Sequence, residues 1–237
     1  MQRKESIMDN IMASLLASMS PQMLVQIGVN FMIIFLVVPV HEYAHAWAAV
    51  KLGDDTPRYQ GRLSLNPLRH IDPIGAVCLL FGGFGWGRPV QINPLNFRQY
   101  RKGSMLCAAA GPLSNLIMGT GGMIIYKFIS AAYAVNESDA LYWLAFILHY
   151  FVLVNLGLAV FNLIPIPPLD GSKIVAYFAG EKWNRFIYQY QQVISIAFLV
   201  LIVSRALDTP LGYLQYGAYF LIDKLTFFVD IIARAIF

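Results

Sequence analysis

The chain has 237 residues, of which 58% are hydrophobic and only 13% charged. A soluble domain carries roughly 25% charge, so the composition argues against a water-soluble globule and excludes intrinsic disorder and collagen-like repeats. The formal net charge of +4 is modest in so apolar a chain, and it reads as basic cytoplasmic loops rather than a nucleic-acid footprint.

The N-terminal stretch Ile11–Met19 is short, mixed and without a clean small-residue cleavage site. It predicts an interfacial helix or a loose end, not a cleavable signal peptide. Met23–Val50 is the first run long enough to span a bilayer at a rise of about 1.5 Å per residue. It carries His41-Glu42-Tyr43-Ala44-His45. On a helix, positions i and i+4 share a face, so both imidazoles can reach one zinc ion. Glu42 lies about 100° round the helix, where it can act on water as a base rather than ligate. Three ionisable groups at the end of a membrane span are expensive unless they are functional or satisfied.

Beyond this run, the Leu63/Leu65 alternation ended by Asn66-Pro67 predicts a strand, and Pro89–Asn93 a second. Pro73–Gly87 between them is apolar but too short and glycine-rich to span. Gly61–Asn93 is therefore expected to form a small membrane-associated β-hairpin around a re-entrant or interfacial piece. Such backbone survives at membrane depth only when buried in protein or lining a wet cavity. An extended substrate could add to its open edge; a purely structural hairpin fits equally well.

Three further apolar runs follow: Ser104–Ala134, Leu141–Ile164, and Val193–Leu207, which Phe186–Tyr190 can extend. The last stretch, Leu211–Phe237, is interrupted by Asp223, Lys224, Asp230 and Arg234, and either spans or lies at the interface. The expectation is a polytopic α-helical membrane protein with about four to six transmembrane helices. Basic residues crowd the loop from Lys51 to Lys102 and return at Lys173, Lys182 and Arg185, whereas Lys127 stands alone near the connection between the second and third spans. The positive-inside rule then puts the end of the first span and the start of the fourth in the cytoplasm. Cys78 and Cys107 form no CxxC pair and read as buried reduced thiols.

A catalytic zinc site wants a third protein ligand. The acids that follow His45, Asp54 and Asp55, do not stand at the spacing of soluble thermolysin-like enzymes, and His70 does not fit a metzincin spacing. Asp170, in Asn162-Leu-Ile-Pro-Ile-Pro-Pro-Leu-Asp170-Gly171, is the better candidate, because two spans separate it from His45 and return it to the same side. Taken alone it would also serve as a helix N-cap. Asn115 and Asn162 are amides in apolar runs, each able to donate to an oxyanion or a substrate backbone, or to a neighbouring helix. His149, mid-span, reads as a satisfied core histidine or interhelical donor, and His70 as structural.

HExxH at His41–His45, Ala110-Gly111-Pro112-Leu113-Ser114-Asn115 and the NxxPxxxLDG pattern from Asn162 to Gly171 together resemble the site-2 proteases, a family of intramembrane zinc metalloproteases. The resemblance covers most of Val25–Tyr177. It implies zinc ligands His41, His45 and Asp170, Glu42 as catalytic base, and a substrate-handling role for Asn162. The chain looks like a short form without a PDZ domain or nucleotide-binding tail. We therefore expect one intramembrane metalloprotease domain over 1–237, with a core of about 23–180 and additional C-terminal membrane helices over 181–237. Its expected partners are transmembrane protein substrates and the lipid bilayer, not nucleic acid. Its expected location is a prokaryotic cell membrane, with the site toward the cytoplasm. A metal transporter would also use His and Asp within spans, and a catalytically silent scaffold would need no Glu42.

Overall fold

The computed structural model describes residues 21–82 and 85–237; the expected interfacial helix at Ile11–Met19 lies outside them. The first apolar run is one continuous helical rod built of α1 (Pro21–Met32), a π-turn (Ile33–Val37) and α2 (Val38–Leu52). Pro39 has no N–H to return to the preceding turn, and the chain answers with an i→i+5 bond from Val38 N–H to the Ile33 carbonyl. Then come α3 (Thr56–Tyr59), α4 (Pro73–Gly82), α5 (Tyr100–Asn136), α6 (Asp139–Asn162), α7 (Asp170–Phe178), α8 (Gly180–Val203), α9 (Asp208–Leu225) and α10 (Phe227–Ile236). Among the described residues four helices are long and apolar enough to cross a membrane: Leu24–Leu52, Tyr100–Asn136, Asp139–Asn162 and Gly180–Val203.

The 37-residue helix α5 is the axis of the fold. It packs against α2, α6, α7 and α10. Met123 of α5, Val152 and Leu156 of α6 and Ile222 of α9 form a buried cluster between these helices. Elsewhere large apolar side chains face outward, such as Ile117 (64% exposed) and Val203 (72% exposed). That inversion is what a bilayer solvent allows and water does not.

The expected β-hairpin does not form. The described residues contain no strand, and only an isolated antiparallel bridge joins Ile71 to Gly87. The Leu63/Leu65 segment finds no ladder, because other groups take its neighbours' hydrogen bonds. Two Asn-Pro-Leu turns, at Asn66 and Asn93, each use the asparagine side chain to accept the leucine N–H two residues on. The Arg62 guanidinium donates to the carbonyls of Arg69, Arg88 and Pro89. The apolar piece between the two expected strands is α4, opened by Asp72, whose carboxylate accepts the Gly75 N–H at 2.9 Å. Its 10 residues reach about 15 Å, half of a bilayer core.

The fourth span also differs. It begins at Gly180 rather than near Val193, and the last run breaks at Thr226 into α9 and α10. Lys127, expected as a loop marker, is buried in α5 and pairs with Asp223 at 3.0 Å and Asp230 at 2.6 Å. Cys78 and Cys107 are both free.

Candidate metal centre and its cavity

Helix α2 carries His41 and His45 on the face turned toward α5, 8% and 6% exposed. Their Nε2 atoms lie 3.1 Å apart. Asp170 reaches them from the first turn of α7, its Oδ2 at 3.1 Å from His45 Nε2 and 3.4 Å from His41 Nε2. The proline-broken turn after Asn162 delivers this carboxylate. Gly171 permits the approach, since a Cβ there would collide with the carbonyls of Leu163 and Ile164.

The donor set suits a cation. His45 Nδ1 lies 2.8 Å from the Cys107 carbonyl. A carbonyl only accepts, so in the neutral ring Nδ1 carries the proton and Nε2 presents its lone pair. His41 Nδ1 lies 2.9 Å from Asn115 Oδ1, which gives the same tautomer. Two lone pairs and a carboxylate then converge with no proton between them, all within 4.8 Å of one another. Three electron-rich atoms so arranged repel unless a cation, a metal ion or a shared proton, sits among them. Gly111 keeps that space open, for a Cβ at this position would fall within 3.0 Å of both imidazoles. Two imidazoles and a carboxylate are a donor set that zinc accepts.

Glu42 follows His41 in α2 and lines the same cavity as the three candidate ligands. Its Oε2 accepts the Val90 N–H at 2.9 Å. His41, Glu42, His45, Asp170 and Asn162 all line one cavity of about 1200 Å³, whose far wall is α8. Asn162 donates to the Leu158 carbonyl at 3.0 Å. Asn115 is fully buried behind His41 and is not part of the cavity lining. His70 is fully buried, its Nε2 at 2.6 Å from the Ser64 carbonyl. His149 is packed among the rings of Tyr126, Tyr150 and Tyr219.

Two residues around the site escaped sequence reasoning. Arg62 is 5% exposed and bonded to three carbonyls of the loops. Asp54 is fully buried and accepts from Thr56 N and Oγ1, Asn93 N and Asn96 Nδ2. No local pattern announces either, because every partner except Thr56 and Arg69 is 26 or more residues away.

Comparison with known proteins agrees with this geometry. The model of Peptidase family M50 matches residues 121–204. The chain is 40% identical over 174 residues to the candidate zinc metalloprotease YwhC of Bacillus subtilis (strain 168), covering 73% of this chain and 77% of that protein. It is 27% identical over 190 residues to the candidate zinc metalloprotease Rip2 of Mycobacterium tuberculosis (strain H37Rv), covering 78% of this chain and 69% of that one. Over a shorter stretch of 81 residues it is 35% identical to the candidate zinc metalloprotease MJ0611 of Methanocaldococcus jannaschii, 34% of this chain and 35% of that one. No solved structure matches the chain. With four apolar helices of spanning length and a two-histidine, one-aspartate centre fit for zinc, the chain belongs to peptidase family M50, the site-2 proteases, and is a multi-pass membrane zinc metalloprotease.

Proposed function

We propose that this protein hydrolyses peptide bonds within or beside transmembrane segments of other membrane proteins, with His41, His45 and Asp170 as its zinc ligands and Glu42 as its general base. The observation that carries this reading is the convergence of the three candidate ligand atoms on the wall of a cavity that Glu42 also lines, bounded by apolar helices. Zinc held there supplies Lewis acidity, bringing the pKa of water toward about 7 and polarising a carbonyl.

The protein's own groups do the rest. Glu42 takes the proton of the attacking water on one carboxylate oxygen and passes it to the leaving amine. Asn162, on the cavity wall, can turn its amide from Leu158 to a substrate carbonyl. Asn115 acts from behind, accepting the His41 Nδ1–H and holding that ring's tautomer. A helical substrate hides its carbonyls in i→i−4 bonds, so it must unwind locally before it reaches Glu42.

The chain acts as one domain, with a core of about 23–180 and C-terminal helices over 181–237. It resides in a prokaryotic cell membrane with the site toward the cytoplasm. Supporting this orientation, the basic loop from Lys51 to Lys102 lies at the HExxH end, where Arg62 and Arg88 stand beside the segment that touches Glu42. A transporter would spread its ligands along a path, whereas one cluster holds them here among the described residues. Glu42→Gln keeps the shape but not the base. It should retain about one zinc per chain and cut a model transmembrane substrate ~10²–10⁴-fold more slowly. Cleavage near the wild-type rate would overturn the mechanism.

A further inference from the structure

We propose that Arg62 is a positioning residue for Glu42, acting through the backbone of residues 88–90. The inference rests on Glu42 being the base and adds how that base is aimed.

A carboxylate rotates freely about its terminal torsion unless something holds one oxygen. Here the Val90 N–H holds Oε2 at 2.9 Å and leaves Oε1 for the proton transfer. Val90 lies in a segment that belongs to no strand, so no ladder fixes where that N–H points. Arg62 does so instead. One guanidinium nitrogen donates to the Arg88 carbonyl at 2.6 Å and to the Pro89 carbonyl at 2.8 Å, and another donates to the Arg69 carbonyl. The two gripped carbonyls directly precede Val90 in the chain. Pro89 adds a fixed φ between them. The Arg88 N–H returns to the His70 carbonyl at 2.8 Å, so the gripped end is tied on both sides. Downstream, buried Asp54 holds the Asn93 N–H at 2.7 Å and the Asn96 amide at 2.7 Å. The segment from 88 to 96 is thus clamped at both ends, and its middle contact is the catalytic carboxylate.

A buried guanidinium is costly unless its donors are satisfied. Among the described residues no carboxylate forms an ion pair with Arg62; backbone carbonyls satisfy it. A planar fork spreads five fixed donors over three nitrogens and can grip carbonyls that stand apart, whereas a lysine's three donors radiate from one atom. The same two loops carry a second tie, from Gln60 Nε2 to Gln91 Oε1 at 3.2 Å, which is exposed and touches neither gripped carbonyl. It provides the control for loop cohesion alone.

The test uses the full zinc-loaded chain and a model transmembrane substrate, comparing Val90→Pro, Arg62→Met, Arg62→Lys and Gln60→Ala. Val90→Pro removes the N–H itself. Misplacing a catalytic group by about 1 Å costs up to ~10²-fold. Val90→Pro and Arg62→Met should therefore lower kcat by about 10- to 100-fold, with KM within about twofold and zinc content unchanged. Arg62→Lys should recover part of the loss, and Gln60→Ala should match wild type. Because both variants break one chain of contacts, the Arg62→Met/Val90→Pro double variant should be no slower than Val90→Pro alone. Zinc-loaded Val90→Pro at the wild-type kcat, a loss carried by KM, or an equal loss from Gln60→Ala would overturn the inference. If Arg62→Met fails to fold, Val90→Pro and Arg62→Lys still decide it. Normal cleavage by Glu42→Gln would instead remove the base assignment, whereas an inactive Glu42→Gln with normal Val90→Pro and Arg62→Lys removes only the positioning role.

Discussion

Two charged clusters lie against the same long helix, α5, and differ in one respect: whether they contain their own cation. Near Gly111, the imidazoles of His41 and His45 and the carboxylate of Asp170 bring together groups that only accept at the point of convergence. About 24 Å along the helix, Lys127 meets Asp223 and Asp230 and donates also to the Asp223 carbonyl. The second cluster is complete and fastens α9 and α10 to α5. The first is incomplete without a metal. Ionisable groups in a membrane are costly in either case, but only the incomplete set is a place for chemistry.

Breaking the first cluster should have the largest effect. Asp170→Ala removes its one anion, and zinc should fall well below one per chain with cleavage lost, as metal analysis and substrate cutting will read. Full zinc in this variant would erase the distinction between the clusters.

Gly111→Ala tests the space rather than the ligands. The new methyl would lie within 3.0 Å of both imidazoles, whereas one at Gly121 meets nothing within 4 Å. Gly111→Ala should weaken zinc affinity by about 10- to 100-fold, the range seen when groups around metal ligands are disturbed. Gly121→Ala should leave it unchanged. Competition against a chelator measures both.

The second cluster should break differently. Lys127→Met removes the shared cation and should destabilise the chain by about 2 kcal/mol, the scale of hydrogen bonds to charged groups. Zinc per chain should stay at wild type. Thermal unfolding in detergent and protease cutting near Thr226 follow the loosening, and a loss of zinc would mean the two clusters are coupled.

Acid supplies the smallest effect. Burial pushes the Asp54 carboxyl up, but hydrogen bonds from Thr56, Asn96 and Asn93 outweigh it and hold the group below the usual carboxylate range. A folded-state value below the unfolded one stabilises the fold above the unfolded pKa of about 4, and that contribution is lost as pH falls through the lower folded value. Asp54→Asn should therefore show a shallower loss of thermal stability than wild type between pH 6 and pH 3. Parallel curves would show that Asp54 contributes nothing to the acid response.

Local patterns carried much of this. Hydropathy marks the apolar runs because a membrane helix must be apolar along its own length. The i, i+4 spacing of His41 and His45 predicts one face, and their Nε2 atoms lie 3.1 Å apart. The Leu63/Leu65 alternation misled, because alternation describes half of a sheet and says nothing of a partner strand. Lys127 misled as a loop marker, because its partners Asp223 and Asp230 are about a hundred residues away.

What the sequence by itself determined is therefore what one segment can impose on itself: membrane-crossing helices, a helix face with two imidazoles, and a proline-broken turn ending in Asp170-Gly171. Tertiary structure alone decided which groups meet across segments. It brought Asp170 to 3.1 Å from His45, turned Asn115 toward His41 rather than the cavity, and set the Val90 N–H on Glu42 under the grip of Arg62. The reason is physical: helix periodicity and hydropathy repeat within a few residues, whereas these contacts close loops of 26 to 125 residues, and nothing in the local chain encodes their far partner.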